Sequence, residues 1–315
     1  MADYGSIRAE DRVLVTGAHG MLGRRLVPAL QQGGASVLGP DRRTLDLLDR
    51  AQTFRYFEEH RPSVVVMLAA KVGGIQANIA APYAFLTENL YINSHTFDAA
   101  REVRARKIIF IGSSCIYPRD TPQPMREDAL LQGPPEPTNE GYALSKIAGI
   151  RQGQCLAKEH DVAVLNLMPP NLYGPGDTFD FAKSHVASAL VRRFVEAQET
   201  GQDSVTLYGS GRARREFLHV DDAVRAIVWA DRTLTDSAHV NVGSGYDISI
   251  RDLANLVAGL VGYRGDIRFD TSKPDGMPQK LMDSTRALSL GFRPRVAFED
   301  GIRELIEHYR QDREG

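Results

Sequence analysis

The chain has 315 residues, of which 43% are hydrophobic and 25% are charged, values typical of folded soluble proteins. Its 38 basic and 40 acidic residues nearly cancel, and a formal net charge of -2 excludes the strongly basic character expected of proteins that bind nucleic acid or an anionic membrane. We therefore expect a small-molecule partner, no nucleic acid and no membrane.

No apolar run approaches the roughly 20 residues that span a bilayer, and Met1-Ala2-Asp3-Tyr4 lacks the pattern of a secretory signal. The protein is therefore expected to be cytoplasmic. Two cysteines are too few for a disulfide framework or a four-thiolate zinc site, so we expect reduced thiols and no metal. Cys155, in the middle of a helical pattern, is expected to be a packing residue.

Short apolar strands alternate with helical patterns through the first half of the chain. Strands are predicted at Arg12 to Thr16, Ser36 to Gly39, Val64 to Leu68, Lys107 to Ile111 and Ala163 to Leu167, with helices at Arg24 to Gln32, Ala51 to His60, Pro82 to Arg104 and Asn139 to His160. Continuously apolar strands separated by helices imply a parallel sheet covered on both faces. The pattern predicts a doubly wound α/β fold of the Rossmann type.

The strict alternation ends after Tyr173-Gly174-Pro175-Gly176, where shorter elements and turns such as Tyr208-Gly209-Ser210-Gly211 follow. We predict a dinucleotide-binding domain over residues 1–175, with a returning segment at about 217–243. A smaller, partly interleaved α/β lobe over 176–216 and 244–315 is expected to bind the substrate.

The turn Gly17-Ala18-His19-Gly20-Met21-Leu22-Gly23 lies between the first strand and the first helix. Glycines there let the backbone approach a pyrophosphate, and the helix N-terminus offers free N–H groups to it. After the second strand, Asp41 suits a ribose 2'-hydroxyl, whereas Arg42 and Arg43 suit a 2'-phosphate. Two adjacent arginines favour NADP(H) over NAD(H).

A second motif, Tyr142-Ala143-Leu144-Ser145-Lys146, places Tyr142 and Lys146 on one face of a predicted helix. A nearby ammonium is expected to lower the pKa of the phenol from about 10 toward neutrality, which makes Tyr142 a usable acid or base. Ser113 follows the strand ending at Ile111, where ligands of open parallel sheets bind.

Several strings add specificity to these motifs. They are Ala69-Ala70-Lys71-Val72-Gly73-Gly74-Ile75, Gly112-Ser113-Ser114-Cys115-Ile116-Tyr117-Pro118, Glu136-Pro137-Thr138-Asn139-Glu140, Arg215-Glu216-Phe217-Leu218-His219-Val220-Asp221-Asp222 and Ser272-Lys273-Pro274-Asp275-Gly276. From about Arg12 to Tyr309 the chain resembles the GDP-L-fucose synthase family of the extended short-chain dehydrogenase/reductase superfamily. The resemblance implies a 3,5-epimerase and 4-reductase acting on GDP-4-keto-6-deoxy-mannose, a homodimer joined by a four-helix bundle, and a bound NADP.

The resemblance also implies roles for individual residues. Cys115 is the base and His185 the acid of the two epimerisations, since a ketone at sugar C4 acidifies the hydrogens on C3 and C5. In the reduction, Tyr142 donates a proton, Ser113 hydrogen-bonds the ketone oxygen, and Lys146 holds the nicotinamide ribose.

Further binding residues follow from the same resemblance. Those implied to contact the cofactor, besides the glycine turn, are Ile111, Gly112, Ser114, Lys146, Pro169, Asn171, Leu172 and His185. Arg193, Arg215 and Lys280 are implied to hold the diphosphate of the GDP-sugar, with Asp275 and Tyr208 near the sugar or base. Asn139 is expected to be the N-cap of the helix that carries Tyr142.

Three departures from the family pattern leave alternatives open. Ala18-His19 stands where His-Arg is common, Pro170 stands where a threonine is common, and the loop from Asp177 to Ser184 differs freely. A related GDP-sugar 3,5-epimerase without net reduction, or an epimerase-reductase of another 4-keto sugar nucleotide, would carry the same machinery. A non-catalytic dinucleotide sensor is a third alternative, although it would need none of the proton-transfer residues.

Overall fold

The computed structural model describes residues 6–180, 184–273 and 275–314. Met1 to Tyr4, residues 181–183 of the divergent loop, and Pro274 lie outside the described residues. The strands are β1 (Arg12–Thr16), β2 (Ser36–Leu38), β3 (Val64–Met67), β4 (Lys107–Ile111), β5 (Ala163–Met168), β6 (Asn171–Tyr173), β7 (Ser204–Tyr208), β8 (Arg214–His219), β9 (His239–Asn241), β10 (Asp247–Ser249), β11 (Asp266–Asp270) and β12 (Gln279–Lys280). The helices are α1 (Met21–Gln32), α2 (Arg50–His60), α3 (Ile75–Ala80), α4 (Pro82–Glu102), α5 (Glu140–Glu159), α6 (Val186–Glu199), α7 (Val220–Thr233), α8 (Ile250–Val261), α9 (Thr285–Ser289) and α10 (Phe298–Glu314).

A parallel sheet of six strands, in the order β2-β1-β3-β4-β5-β9, forms the centre of the protein. The chain moves outward from β1 to β2 and then returns to pair β3 on the other side of β1. The strand order therefore reverses between β1 and β3, and ligands of such sheets bind at the carboxyl ends flanking that point. The predicted doubly wound fold is confirmed.

The buried strands explain why this sheet forms. Every residue of β3 and β4 is buried, and Val13, Val15, Val64 and Ile109 belong to one core with the inner faces of α1 and α7. A buried ion pair joins the layers, since Lys107 Nζ lies 2.7 Å from Asp231 Oδ1. This pair anchors the start of β4, the strand that leads to Ser113.

A second core lies between α6, α8 and α10 and the short strands of the C-terminal half. There β8 pairs with β6, β10 and β12, while β7 pairs with β11. Because β9 returns to the central sheet, the chain crosses between the two regions more than once. The domain boundary at residue 175 stays a prediction.

Most predicted elements agree with the structure to within a few residues. Three differences concern the start of one helix, a short helix absent from the prediction, and the exposure of one cysteine. Helix α1 begins at Met21, three residues before the predicted start, and α3 was not predicted. Cys155 lies in α5 as expected but is exposed, so the prediction of a packing residue is wrong. Its neighbour Gly153 is the residue that faces the core, where an added Cβ would lie 2.8 Å from Val164. Across the described parts of the chain, no helix combines the length and apolarity needed to cross a membrane.

Candidate active site

The glycine turn has the geometry that a pyrophosphate requires. Gly17 has φ +71°, a left-handed conformation that favours glycine. A Cβ on Gly23 would lie 2.3 Å from the Gly17 carbonyl oxygen, so α1 packs against the turn at a distance that excludes a side chain. Gly20 is the N-cap of α1 and provides no side-chain cap, which leaves the first N–H groups of the helix available to an anion.

A cavity of about 370 Å³ opens beside this turn, between the ends of β1 and β3. Thr16, Gly17, His19 and Gly20 line one side and Ala69 to Lys71 the other, with Asp41 and Arg42 at the far end. This is the point where the strand order reverses, so the cavity and the glycine turn together fit the adenosine and phosphate half of a dinucleotide. Ala18, Met21 and Leu22 lie within the same turn and helix start.

The two residues that bear on NADP or NAD differ in their surroundings. Asp41 accepts hydrogen bonds from the backbone N–H and hydroxyl of Thr44, both at 2.8 Å, which lower its pKa to about 2. Arg43 also donates to Asp41, at 3.1 and 3.2 Å. The acid is thus occupied by its neighbours, whereas the Arg42 side chain is largely exposed at the cavity and lies 3.6 Å from Asp46. The Arg42 side chain is thus more exposed at the cavity than the Asp41 carboxylate.

Ser113, Tyr142 and Lys146 meet at the carboxyl end of β4. Lys146 Nζ donates to the Ile111 carbonyl oxygen at 2.8 Å and lies 5.8 Å from the centroid of the Tyr142 ring. Burial lowers the pKa of Lys146 to about 8. Burial, together with the charge of Cys115, raises the pKa of Tyr142, and a hydrogen bond with Ser113 opposes that rise. The predicted lowering of the phenol pKa is not found, because burial of the phenol outweighs the hydrogen bond with Ser113.

Cys115 lies next to this trio, in a 3-10 turn over Ser114–Ile116 whose first N–H groups face Ser113. The Asn139 amide donates to Cys115 Sγ at 3.2 Å, and Lys280 Nζ lies 3.8 Å from the same sulfur. Asn139 is the N-cap residue of α5, but its side chain makes no cap hydrogen bond. The prediction that Asn139 is the N-cap residue is confirmed, but its side-chain amide contacts the thiol and not the backbone of the helix.

Arg215 forms the wall beyond Cys115. Burial lowers the pKa of this guanidinium, while the charges of Cys115, Glu136 and Asp275 act in the opposite direction. Glu136 is buried, and its Oε2 has no hydrogen-bond partner among the described residues. Arg215 donates to the Arg214 carbonyl oxygen at 2.7 Å, and a Cβ on Gly276 would lie 3.6 Å from its NH2 group. The predicted cation is thus in the site, between the thiol and the loop that carries Asp275.

His185 is the N-cap residue of α6 and is half-buried. The segment before α6 packs on the loop that precedes α3. A Cβ atom added to Gly74 in that loop would lie 3.3 Å from the carbonyl oxygen of Ser184, the residue before His185. The charge of His185 also acts on Asp177, whose pKa is raised by burial and whose carboxylate accepts from Ser188 Oγ.

The other predicted substrate residues lie on the C-terminal lobe. Arg193 donates to the Thr206 carbonyl oxygen at 2.8 Å, and its guanidinium lies 5.7 Å from the centroid of the exposed Tyr208 ring. Asp275 accepts from the backbone N–H and hydroxyl of Ser210, both at 2.6 Å. The structure places the Lys280 ammonium beside Cys115, and its role at the diphosphate stays a prediction.

The predicted cofactor residues after β4 and β5 form the floor of the same region. Ile111 ends β4 and Gly112 follows it, Ser114 N–H donates to the Pro169 carbonyl oxygen at 3.1 Å, and Leu172 lies in β6. The Asn171 amide donates to the Glu216 carbonyl oxygen at 3.0 Å. Glu216 itself is buried, and burial raises its pKa to about 7 although backbone N–H groups of Met282 and Gly245 donate to it.

Comparisons with known proteins agree with this geometry. The sequence model described as "NAD dependent epimerase/dehydratase family" matches residues 13–243. The chain is 42% identical to a protein named GDP-L-fucose synthase from Sinorhizobium fredii (strain NGR234) over 298 residues, which is 95% of each chain.

Among solved structures, a GDP-6-OMe-4-keto-L-xylo-heptose reductase from C. jejuni superposes with a TM-score of 0.92 at 28% identity, over 98% of this chain and 100% of that one. A GDP-L-fucose synthetase from Naegleria fowleri bound to NADP gives a TM-score of 0.88 at 26% identity, over 98% of this chain and 95% of that one.

Proposed function

The chain belongs to the NAD dependent epimerase/dehydratase family, and we propose that it converts GDP-4-keto-6-deoxy-mannose to GDP-L-fucose by 3,5-epimerisation and NADPH-dependent reduction at C4. The observation that carries the proposal is the cluster at the end of β4. There a thiol, Cys115, lies beside the Ser113, Tyr142 and Lys146 trio of a reductase. A reductase alone needs the trio, whereas an epimerase also needs a proton-exchanging group such as this thiol.

In the epimerisations, Cys115 takes a proton from C3 or C5, and the electron pair of the broken C–H bond moves into an enolate whose charge rests on the C4 oxygen. Ser113 and Tyr142 donate hydrogen bonds to that oxygen. His185 then returns a proton to the opposite face of the same carbon, and the C4 ketone reforms. Asn139 and Lys280 support the basic form of the thiol, since an N–H donor at 3.2 Å and a cation at 3.8 Å both stabilise a negative sulfur.

In the reduction, bound NADPH supplies the hydride that C4 receives. Tyr142 gives its hydroxyl proton to the oxygen, and its raised pKa ensures that the phenol carries that proton at neutral pH. Lys146, with a pKa of about 8, carries its charge at the same pH and faces the developing tyrosinate. Both half-reactions use the same polarised carbonyl, so one site serves both.

NADPH is the proposed reductant because Arg42 is available at the cavity while Asp41 is held by Thr44 and Arg43. The Arg42→Ala variant is expected to raise KM for NADPH at least tenfold and to leave KM for NADH within twofold. Equal effects on the two cofactors would contradict the assignment of a 2'-phosphate to Arg42.

The protein is further proposed to be a homodimer through α4 and α5. Large apolar side chains are exposed on these two helices and on the segment that contains α3: Tyr83 and Tyr91 on α4, Leu144 on α5, and Val72, Ile75 and Ile79 in or just before α3. Such a concentration marks an interaction surface. Tyr83→Glu should shift the sedimentation coefficient to that of a monomer, whereas Leu290→Glu, at an exposed leucine far along the chain, should leave it unchanged.

The central experiment supplies GDP-4-keto-6-deoxy-mannose and NADPH and follows the loss of absorbance of the reduced nicotinamide. Oxidation of NADPH with formation of GDP-L-fucose supports the proposal. In D2O without NADPH, Tyr142→Phe should still incorporate deuterium at C3 and C5, whereas Cys115→Ser should not. Deuterium exchange without NADPH oxidation in the wild-type protein would instead identify a 3,5-epimerase, and normal exchange in Cys115→Ser would refute the base assignment.

A further inference from the structure

A second and larger cavity, of about 830 Å³, lies on the outer side of the helical layer between α1 and α7 and does not include the glycine turn. Six arginines line it, with Asp221 as the one acidic residue among its lining residues: Arg24, Arg25, Arg225, Arg232, Arg293 and Arg295. We call it the arginine groove. A chain with a net charge of -2 thus concentrates about five positive charges in one concave surface.

The surroundings of the groove neutralise only part of its charge. Arg25 lies 3.7 Å from Asp221, and Arg225 pairs with Asp222 at 2.9 Å. The other four arginines form no ion pair with any carboxylate among residues 6–180, 184–273 and 275–314. Arg24 donates to the His19 carbonyl oxygen and Arg293 to the Phe292 carbonyl oxygen, and these neutral acceptors leave the charges uncompensated.

The dimensions of the groove indicate an extended ligand. The α7 residues that line it run from Asp221 to Thr233, which spans about 18 Å at the helical rise of about 1.5 Å per residue. A single phosphate contacts one or two arginines, so it would leave most of the groove unoccupied. A chain of two or three phosphates matches the spread of guanidinium groups better.

An aromatic side chain completes the wall. Trp229 lines the groove and is held by a hydrogen bond from Nε1 to the Leu290 carbonyl oxygen at 3.0 Å, and its ring lies 5.5 Å from the Phe292 ring. A fixed indole beside cations is a surface on which a planar base stacks. We propose that the arginine groove is a second site, separate from the catalytic one, that binds a nucleoside polyphosphate through its phosphates on the arginines and its base at Trp229.

Trp229 is the single tryptophan of the chain, so its fluorescence reports directly on this groove. Titration of the full-length protein with GTP at constant ionic strength is expected to give a saturable change in that fluorescence. Arg232→Ala combined with Arg295→Ala should weaken the GTP response at least tenfold. Arg264→Ala combined with Arg310→Ala removes the same charge from exposed positions outside the groove and should change the response less than twofold.

A parallel titration with inorganic tripolyphosphate tests the nucleoside part of the proposal. Tripolyphosphate is expected to bind at least fivefold more weakly than GTP, since it offers nothing to stack on Trp229. Equal affinities would overturn the nucleoside assignment. Absence of a saturable response, or a response unchanged by Arg232→Ala with Arg295→Ala, would overturn the site itself.

Discussion

Gly23→Ala tests whether the close packing of α1 on the glycine turn is required for cofactor binding. The added Cβ would lie 2.3 Å from the Gly17 carbonyl oxygen and 2.6 Å from the Ala18 Cα and carbonyl carbon, whereas ordinary contacts begin at 3.4 Å. All three obstacles are backbone atoms, so the turn itself must retreat by about 1 Å. Overpacking of this kind costs about 1–3 kcal/mol of folding free energy.

The displacement should weaken cofactor binding more than it weakens the fold. A hydrogen bond from a backbone N–H to a charged phosphate contributes about 1.5–3 kcal/mol, so the loss of one such bond lowers affinity by roughly ten- to hundredfold. We expect the dissociation constant for NADPH, measured from nicotinamide fluorescence, to rise by at least tenfold. Urea unfolding should show a loss of about 1–3 kcal/mol.

Gly259→Ala is the matched control. Gly259 lies on the exposed face inside α8, and a Cβ there meets no atom within 4 Å. Replacing a helical glycine by alanine stabilises the helix by up to about 1 kcal/mol, and NADPH affinity should not change. If Gly23→Ala binds NADPH as tightly as the wild type, the close approach at the turn has no part in binding and the reasoning fails.

Two further variants and one pH measurement test the core, a buried carboxyl group and the thiol site. Asp231→Ala removes the carboxylate that lies 2.7 Å from the buried Lys107 ammonium, and should reduce the free energy of unfolding by about 3–5 kcal/mol. Burial raises the pKa of Glu216 from 4.5 to about 7, so the folded state holds this proton more tightly than the unfolded state does. The resulting contribution of Glu216 to the free energy of unfolding is complete below pH 4.5 and is lost as pH rises through 7. In urea unfolding, Glu216 should therefore make the free energy of unfolding about 3 kcal/mol lower at pH 8 than at pH 5. Lys280→Met removes the cation 3.8 Å from Cys115 Sγ and should slow alkylation of that thiol by iodoacetamide at neutral pH about tenfold.

Each of these predictions has a control. Asp236→Ala breaks an exposed pair with Arg286 and should cost less than about 1 kcal/mol. The fall in stability between pH 5 and pH 8 that Glu216 causes is the difference between the wild type and Glu216→Gln, because buried His219 and His239 have lowered pKa values and act in the opposite direction. An equal pH dependence in the two proteins would contradict the assignment. Lys273→Met, at an exposed lysine, should not alter alkylation. These rates are measured in a Cys155→Ser background, because Cys155 is exposed and reacts independently.

The parallel sheet could be predicted from the sequence because its strands are apolar throughout and are punctuated by glycines. Val64 to Met67 has no polar residue, and such a run between two helical patterns has few alternatives to a buried parallel strand. Helix α3 was missed because six residues carry too little periodicity to separate a helix from a loop.

The catalytic side chains could be named from motifs, but their contacts could not. Cys115 and Asn139 are 24 residues apart, and Cys115 and Lys280 are 165 apart, so only the folded chain shows that both reach one sulfur. Local rules place Asn139 at the N-cap of α5, where the structure also finds it, but they expect its side chain to bond the helix backbone. Tertiary structure gave its amide a different partner.

The electrostatics of the site connect the two proposed half-reactions. The charge of Cys115 raises the pKa of both Tyr142 and Lys146. While the thiol is in its basic form, ready to remove a proton from carbon, Tyr142 therefore holds its own proton more tightly and serves the C4 oxygen as a hydrogen-bond donor. When Cys115 has taken up a proton, that influence disappears and Tyr142 gives its proton to the oxygen more readily. In the proposed mechanism, proton transfer at carbon and protonation at oxygen therefore take place in different charge states of one cluster.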